Sequence, residues 1–461
     1  MLNWCYGIFS VWLILSIFFR KRQPFFDARM MVEAGMLMYY AVPGMRHAAP
    51  ELWDYTSRYY IFYGLESVAT FKAFVCVILF YIAFLVFHQY RFSISPVQKN
   101  QSYKLYIPNE EKTVFKTARI IIIFCLALFL VYCSFFGGFR ELMSNISNIR
   151  GGIVQSDNGK FEFINKLFRC APFAVYLTAD YRNSRYRWQY KLMLAIALLI
   201  VISYGGRGVL LQFVGTLFIG DYIYRKNISH KKYSVRKILF LAFFAVFAIV
   251  IYRPLLNSMV YVRTKGIEKA MSVFVSILMN SGKYNISSIG KTVSSLLTSF
   301  DHYSVSLETS IYAVDTGMHD CRYFMEWVID AFSVVPSLLI GITKSPTITY
   351  FNSMYIAGAP NIAQIPSGIV AEAYYTGGVL WVVFYGAIMG SIGRKIEILF
   401  QRMKDSITFA PTFYFALLFF YFAFAVGGDW ASLFQKNLTT FMIIFYIRWK
   451  MIRSRGGLHE I

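Results

Sequence analysis

Ser203-Tyr204-Gly205-Gly206-Arg207-Gly208 separates two apolar runs, 192–202 and 209–219, and its reading decides the fold. Read as one helix, 192–224 would bury a guanidinium near mid-bilayer, at a cost of roughly 2.5–3.5 kcal/mol or more. The flanks argue against that. Arg182, Arg185, Arg187 and Lys191 precede the two runs, and Arg225, Lys226, Lys231, Lys232, Arg236 and Lys237 follow them. Short basic flanks belong on the cytoplasmic side, and a single crossing would put these on opposite sides. A helical hairpin keeps both flanks together and carries Arg207 to the other membrane face. Three glycines suit the tight turn that this requires.

The same pattern extends along the chain. With 57% apolar residues, 19% aromatics and 15% charged residues, the composition is that of a polytopic membrane protein. Apolar segments recur near the roughly 20 residues needed to span. Eleven spans are predicted, at about 1–19, 25–44, 67–87, 119–137, 163–179, 188–205, 208–224, 237–255, 369–392, 408–427 and 430–447. The second is interrupted by Asp27, Arg29 and Glu33, and the fifth is short.

Charge sets the orientation. The segments 20–22, 88–118, 180–191, 225–237, 393–407 and 448–455 hold 26 Lys and Arg in 82 residues, against 16 in about 185 residues on the other side. This predicts an outer N-terminus and a cytoplasmic C-terminus. The net charge of +22 is therefore a topological signal, and no nucleic-acid partner is expected. The first run is followed by Arg20-Lys21-Arg22 without a small-residue cleavage site, so it is predicted to be a span. Six cysteines without a CxxC spacing indicate neither a disulfide framework nor a metal knuckle.

Polarity is concentrated outside, in a segment at 138–162 and a long one at 253–368. A bare loop of that length is improbable, and amphipathic helices are predicted within it. Ile267, Met271, Phe274, Val275 and Leu278 share one face; Ile286, Ile289, Val293, Leu296, Leu297 and Phe300 share another; Tyr323, Phe324, Trp327, Val328 and Ala331 form a third. Helices of this type can lie in the membrane interface.

The candidate chemistry is acidic and cationic. Arg207, Arg253, Arg140 and Arg150 suit a phosphorylated group at the outer surface, because guanidinium stays charged and bonds phosphate in bidentate fashion. Arginines at helix ends also snorkel to lipid headgroups. Glu372 lies just inside the ninth span, where desolvation fits a carboxylate for general-base work. Asp301 and His302 are a second acid/base candidate, and Lys344 near Pro346 a further phosphate contact. The sequence contains no DxD, GxxxxGK[ST], HExxH or nucleophile elbow. No metal and no cofactor is therefore expected.

These features together resemble the bacterial O-antigen and exopolysaccharide repeat-unit polymerases, multi-spanning enzymes of the C-type glycosyltransferase kind. The opening stretch is similar to that family's Gly/Ser-Arg-Gly turn between spans. The long late segment 253–368 resembles its large periplasmic loop. Val335-Pro336-Ser337 with Lys344-Ser345-Pro346 is similar to a loose Pro…Lys-Pro pattern, with Ser337 where many relatives carry a basic residue. Glu372-Ala373-Tyr374-Tyr375-Thr376-Gly377-Gly378 resembles a Glu-x-x-Tyr/Phe-x-x-Gly entry to the next span, and Arg140 precedes Gly151 at an Arg-x10-Gly spacing.

The resemblance implies an all-α integral protein of the bacterial inner membrane, acting on undecaprenyl-diphosphate-linked oligosaccharide as donor and acceptor. It implies a membrane-lipid environment, with a flippase and a chain-length regulator as candidate partners. Arg207 with Arg253 or Arg140 would stabilise the leaving pyrophosphate, and Glu372 (or His302) would take the acceptor proton. An O-antigen ligase, a lipid-linked oligosaccharide flippase and a purely scaffolding bundle are the competing classes.

Overall fold

The computed structural model describes residues 2–19, 26–48, 67–89, 111–150, 160–179, 182, 185–225, 239, 252–280, 304–317, 322–333, 346–357, 365–403, 409–430, 433 and 442. Among them the regular structure is entirely helical. In chain order the helices are α1 (Leu2–Phe19), α2 (Ala28–Met36), α3 (Val42–His47), α4 (Ser67–Gln89), α5 (Glu111–Ser134), α6 (Phe139–Arg150), α7 (Lys160–Leu167) and α8 (Ala171–Leu177). There follow α9 (Arg187–Ser203), α10 (Arg207–Ile223), α11 (Tyr252–Asn280), α12 (Val305–Thr316), α13 (Met325–Ser333), α14 (Ile348–Ala357), α15 (Ile369–Met403) and α16 (Phe409–Gly427).

Four stretches are long and apolar enough to cross a membrane: Leu2–Phe19, Val68–Gln89, Phe115–Ser134 and Ile369–Gln401. Most of their outward positions are apolar, among them Trp4, Ile8 and Phe18 on α1, Phe71 and Ile82 on α4, and Ile120 and Ile123 on α5. A water-soluble bundle would cover such a belt, whereas hydrocarbon accepts it. The protein is thus a helical membrane protein. Three other predicted spans form α9, α10 and α16, and the latter two contain the shorter apolar stretches Gly208–Ile223 and Phe415–Gly427. The predicted spans at 237–255 and 430–447 lie almost wholly outside the described residues.

Two predicted spans are interrupted. In 25–44, α2 passes through a π-helical turn (Leu37–Ala41) into α3, which opens with Pro43 in its first turn. Proline lacks the amide that a continuous α-helix needs, and the wider turn absorbs the mismatch. In 163–179, a 3-10 turn (Phe168–Cys170) separates α7 from α8, again next to a proline, Pro172.

The chain divides into two compact units. The first comprises Met1–Asn100, Gly282–Leu399 and Leu418–Gln435; the second comprises Gln101–Ser281, Phe400–Leu417 and Lys436–Ile461. In the first, α1 packs on α2 and α3, and α4 packs on α12. The charges that interrupt the second predicted span satisfy one another there. Arg29 Nε lies 2.6 Å from Glu33 Oε1, which also accepts from Ser16 Oγ at 2.6 Å and Tyr81 OH at 3.1 Å. The Asp27 side chain caps α2 by accepting from the Met30 amide at 2.7 Å.

The long helix α15 rests on α4 through Gly386 and Gly390. A Cβ at Gly390 would meet the His88 amide at 2.9 Å, and the Phe84 carbonyl oxygen closer still. Two glycines four apart allow this close approach of backbones.

In the second unit, α5 packs on α7, α8 and α9, and α6 packs on α11. The chain breaks helix at Tyr204–Gly206, and Gly205 takes φ +61°. The helices on either side, α9 and α10, touch each other.

Candidate functional site

The first unit gathers buried carboxyl groups at the head of α15. Gly368 starts the helix with φ +74°, and its missing Cβ leaves room for Ser306 and the Tyr40 hydroxyl. Four residues on, Glu372 is 1% exposed. Its Oε2 accepts from the Trp430 amide at 3.0 Å, and Tyr385 OH lies 3.4 Å from its Oε1. Trp327 Nε1 donates to that hydroxyl at 2.7 Å.

Three more buried carboxyl groups act on Glu372 electrostatically: Asp330, Asp429 and Glu326. Glu326 and Asp330 lie one turn apart on α13, and Asp429 follows α16. Asp429 accepts from Thr349 Oγ1 at 2.5 Å. Glu326 Oε1 accepts from the Ile348 amide at 3.2 Å, while its Oε2 faces the Arg322 guanidinium at 3.2 Å. That guanidinium also donates to the Pro346 carbonyl at 2.5 Å and lies over the Phe351 ring.

Burial pushes the Asp330 carboxyl up to about 9, with Glu326 and Asp429 adding repulsion. Burial also raises Glu326, although Arg322 opposes it. Asp330 therefore holds its proton at neutral pH, which lets several acids share so small a space.

The helix that carries Glu372 is itself interrupted. Gly377 and Gly378 depart from helical geometry, Gly378 with φ +69°, and the indole of Trp381 occupies the space a Gly377 Cβ would need. The Thr376 carbonyl accepts from the Tyr323 amide at 3.2 Å. Around the break stand Tyr323, Phe324, Trp327, Trp381 and Phe384, with ring centroids 4.6–6.0 Å apart in the pairs that touch.

The arginine candidates belong to the second unit. Arg207 is the first residue of α10, Arg253 lies in the first turn of α11, and Arg140 and Arg150 bracket α6. Since α6 touches both α11 and α9, the fold brings together the elements that carry or adjoin all four. Arg140 is exposed and lines an open pocket of about 640 Å³ with Lys265, Gly266, Ile267 and Glu268. Gly266 has φ +80° and kinks α11 there. The side chains of Arg207, Arg253 and Arg150 lie outside the described residues, as do Asp301, His302 and Lys344 entirely.

Sequence reasoning missed Glu326, Asp330, Asp429 and Arg322. Two signals were present. Gly427-Gly428-Asp429 repeats the opening pattern of glycines and a charge between apolar runs, and Glu326-x3-Asp330 puts two acids on one face of an apolar helix. Among the described residues no group of three or more His, Cys, Asp or Glu has metal-ligand geometry. No protein-family model, curated protein or solved structure matches this chain.

Proposed function

We propose that the protein is a glycosyltransferase that polymerises undecaprenyl-diphosphate-linked oligosaccharide units at the outer face of the bacterial inner membrane. The observation that carries this reading is Glu372. It is a buried carboxyl group at the head of a spanning helix, held by a backbone amide and set among protonatable neighbours. Trp327, which donates to the Tyr385 hydroxyl beside Glu372, has the flat apolar face on which a sugar ring stacks. The eleven-span topology with outer N-terminus and inner C-terminus belongs to the same proposal, as does the periplasmic placement of 253–368.

The reaction is a displacement at the sugar carbon bound to pyrophosphate. The acceptor hydroxyl oxygen forms a bond to that carbon while the carbon–oxygen bond to the diphosphate breaks. Glu372 takes the hydroxyl proton. The charge gathering on the leaving diphosphate calls for cationic groups such as guanidinium. Asp330, holding its proton, limits the negative charge near Glu372.

One feature favours a second reading. A spanning helix broken at Gly377–Gly378 beside buried ionisable groups is also how transporters build substrate sites, so a lipid-linked oligosaccharide flippase is the alternative. The O-antigen ligase shares the polymerase's chemistry and differs in acceptor.

A deletion strain separates the three. Loss of a polymerase leaves single repeat units on the lipid A core, loss of a ligase leaves bare core with polymer on the carrier, and loss of a flippase strands single units on the inner leaflet. Complementation with Glu372→Gln at matched membrane level is expected to leave the deletion phenotype, with the ladder reduced at least 100-fold. A normal ladder from Glu372→Gln would remove this residue from the mechanism.

A further inference from the structure

α13 is amphipathic with its polarity inverted. Glu326 and Asp330 face inward at 0% and 1% exposure, while Met325, Val328 and Phe332 face outward at 59%, 44% and 58%, and Phe324, in the turn just before the helix, is 55% exposed. At 100° per residue the two sets occupy opposite sides of the helix. Ala331 is exposed on the same outward surface, and no charged residue stands there between 323 and 332. A helix in water places its acids outside and its phenylalanines inside.

The patch continues onto a spanning helix. Phe324 packs edge-on against Trp381 at 4.8 Å and against Phe384 at 5.6 Å, both on α15. Beside them α15 exposes Val379 and, at 83%, Leu380. Trp327 turns the other way, toward Tyr385 and the carboxyl cluster.

We propose that the outward face of α13 lies against lipid acyl chains, so that this helix forms the wall between the hydrocarbon and the carboxyl cluster around Glu372. The segment predicted as external loop thus dips into the bilayer at 324–332. Acyl chains suit an uncharged, uninterrupted surface continuous with a spanning helix. A water-soluble partner would leave the same surface wet whenever it dissociated.

The test uses the full-length protein in phosphatidylethanolamine–phosphatidylglycerol vesicles. p-Benzoylphenylalanine is placed in separate proteins at the positions of Met325, Val328, Phe332 and, as a lipid-facing reference, Leu380. After irradiation, intact mass reports what was captured. Phospholipid adducts at the three α13 positions within about twofold of the Leu380 yield are expected. Adducts at Leu380 with none on α13, or protein adducts in place of lipid, would overturn the proposal.

A second measurement survives any folding defect in those variants. Phe332→Cys is expected to react with a membrane-impermeant maleimide in inside-out and right-side-out vesicles at least tenfold more slowly than Asp315→Cys, an exposed polar position on α12. Equal rates would place α13 in water.

Discussion

Replacing Gly390 with alanine tests how α15, and with it Glu372, is seated. The added Cβ would stand 2.9 Å from the His88 amide and 3.2 Å from the Phe84 carbonyl carbon, with the carbonyl oxygen nearer still. Ordinary contact begins near 3.5 Å, and the obstacle is backbone of α4, which cannot rotate aside. The two helices must therefore separate by about 1 Å along this face. A gap of that size forfeits a quarter to a half of each van der Waals well of about 0.1–0.2 kcal/mol. Over some 40 atom pairs this comes to about 2 kcal/mol, within the roughly 1–3 kcal/mol range for overpacking.

Gly386→Ala meets the Phe80 carbonyl and the Ala83 Cβ in the same way. Once the first substitution has parted the helices, the second fits the enlarged gap, so the double variant costs less than the sum. Gly7→Ala is the control, since nothing lies within 4 Å of its added Cβ. Thermal unfolding of the purified protein in nanodiscs, followed by tryptophan fluorescence, is expected to fall by several degrees for Gly390→Ala and not at all for Gly7→Ala. A Gly390→Ala protein as stable as the Gly7→Ala control would refute the argument that backbone contact sets the position of α15.

Asp330 makes stability depend on pH. Its folded-state value, about 9, lies above the ordinary 3.8, so from about pH 4 to about pH 9 the folded protein holds a proton that the unfolded chain has released. Stability therefore falls as pH rises through that window, by at most about tenfold in the folding equilibrium per pH unit. Asp330→Asn is expected to flatten this slope and to be the more stable protein at pH 9, as read by unfolding midpoints across pH. Breaking the buried Arg29–Glu33 pair by Arg29→Met alone should cost about 3–5 kcal/mol, because it strands a carboxylate. Adding Glu33→Leu should recover most of that loss, and a double variant no better than the single one would count against charge stranding as the cause.

Much of the architecture was legible locally. Hydropathy over a window of about 20 residues marks a membrane helix without reference to the rest of the chain, and α1, α4, α5 and α15 lie where the apolar runs predict them. Glycine is similarly local. Gly205, in the Ser203–Gly208 stretch where a tight turn is predicted, takes the left-handed conformation, and Gly368 and Gly378 frame the segment that carries Glu372.

Partnership was decided only by tertiary structure. Arg29 and Glu33 look like a flaw in a span until Ser16 and Tyr81 arrive from two other helices to share Glu33. The hydrophobic period of α13 identifies an amphipathic helix but cannot say which face is inside. That depends on what packs against it, and here Arg322, the Ile348 amide and Tyr385-linked Trp327 draw the acidic face inward. Glu326, Asp330, Glu372 and Asp429 span more than one hundred positions of sequence. Their meeting reflects the cost of isolated charge in an apolar surrounding, which drives such groups to share protons and hydrogen bonds wherever the chain brings them together. Hydropathy is a property of a segment and can be read from it, whereas the charge state of a buried acid is a property of its neighbours.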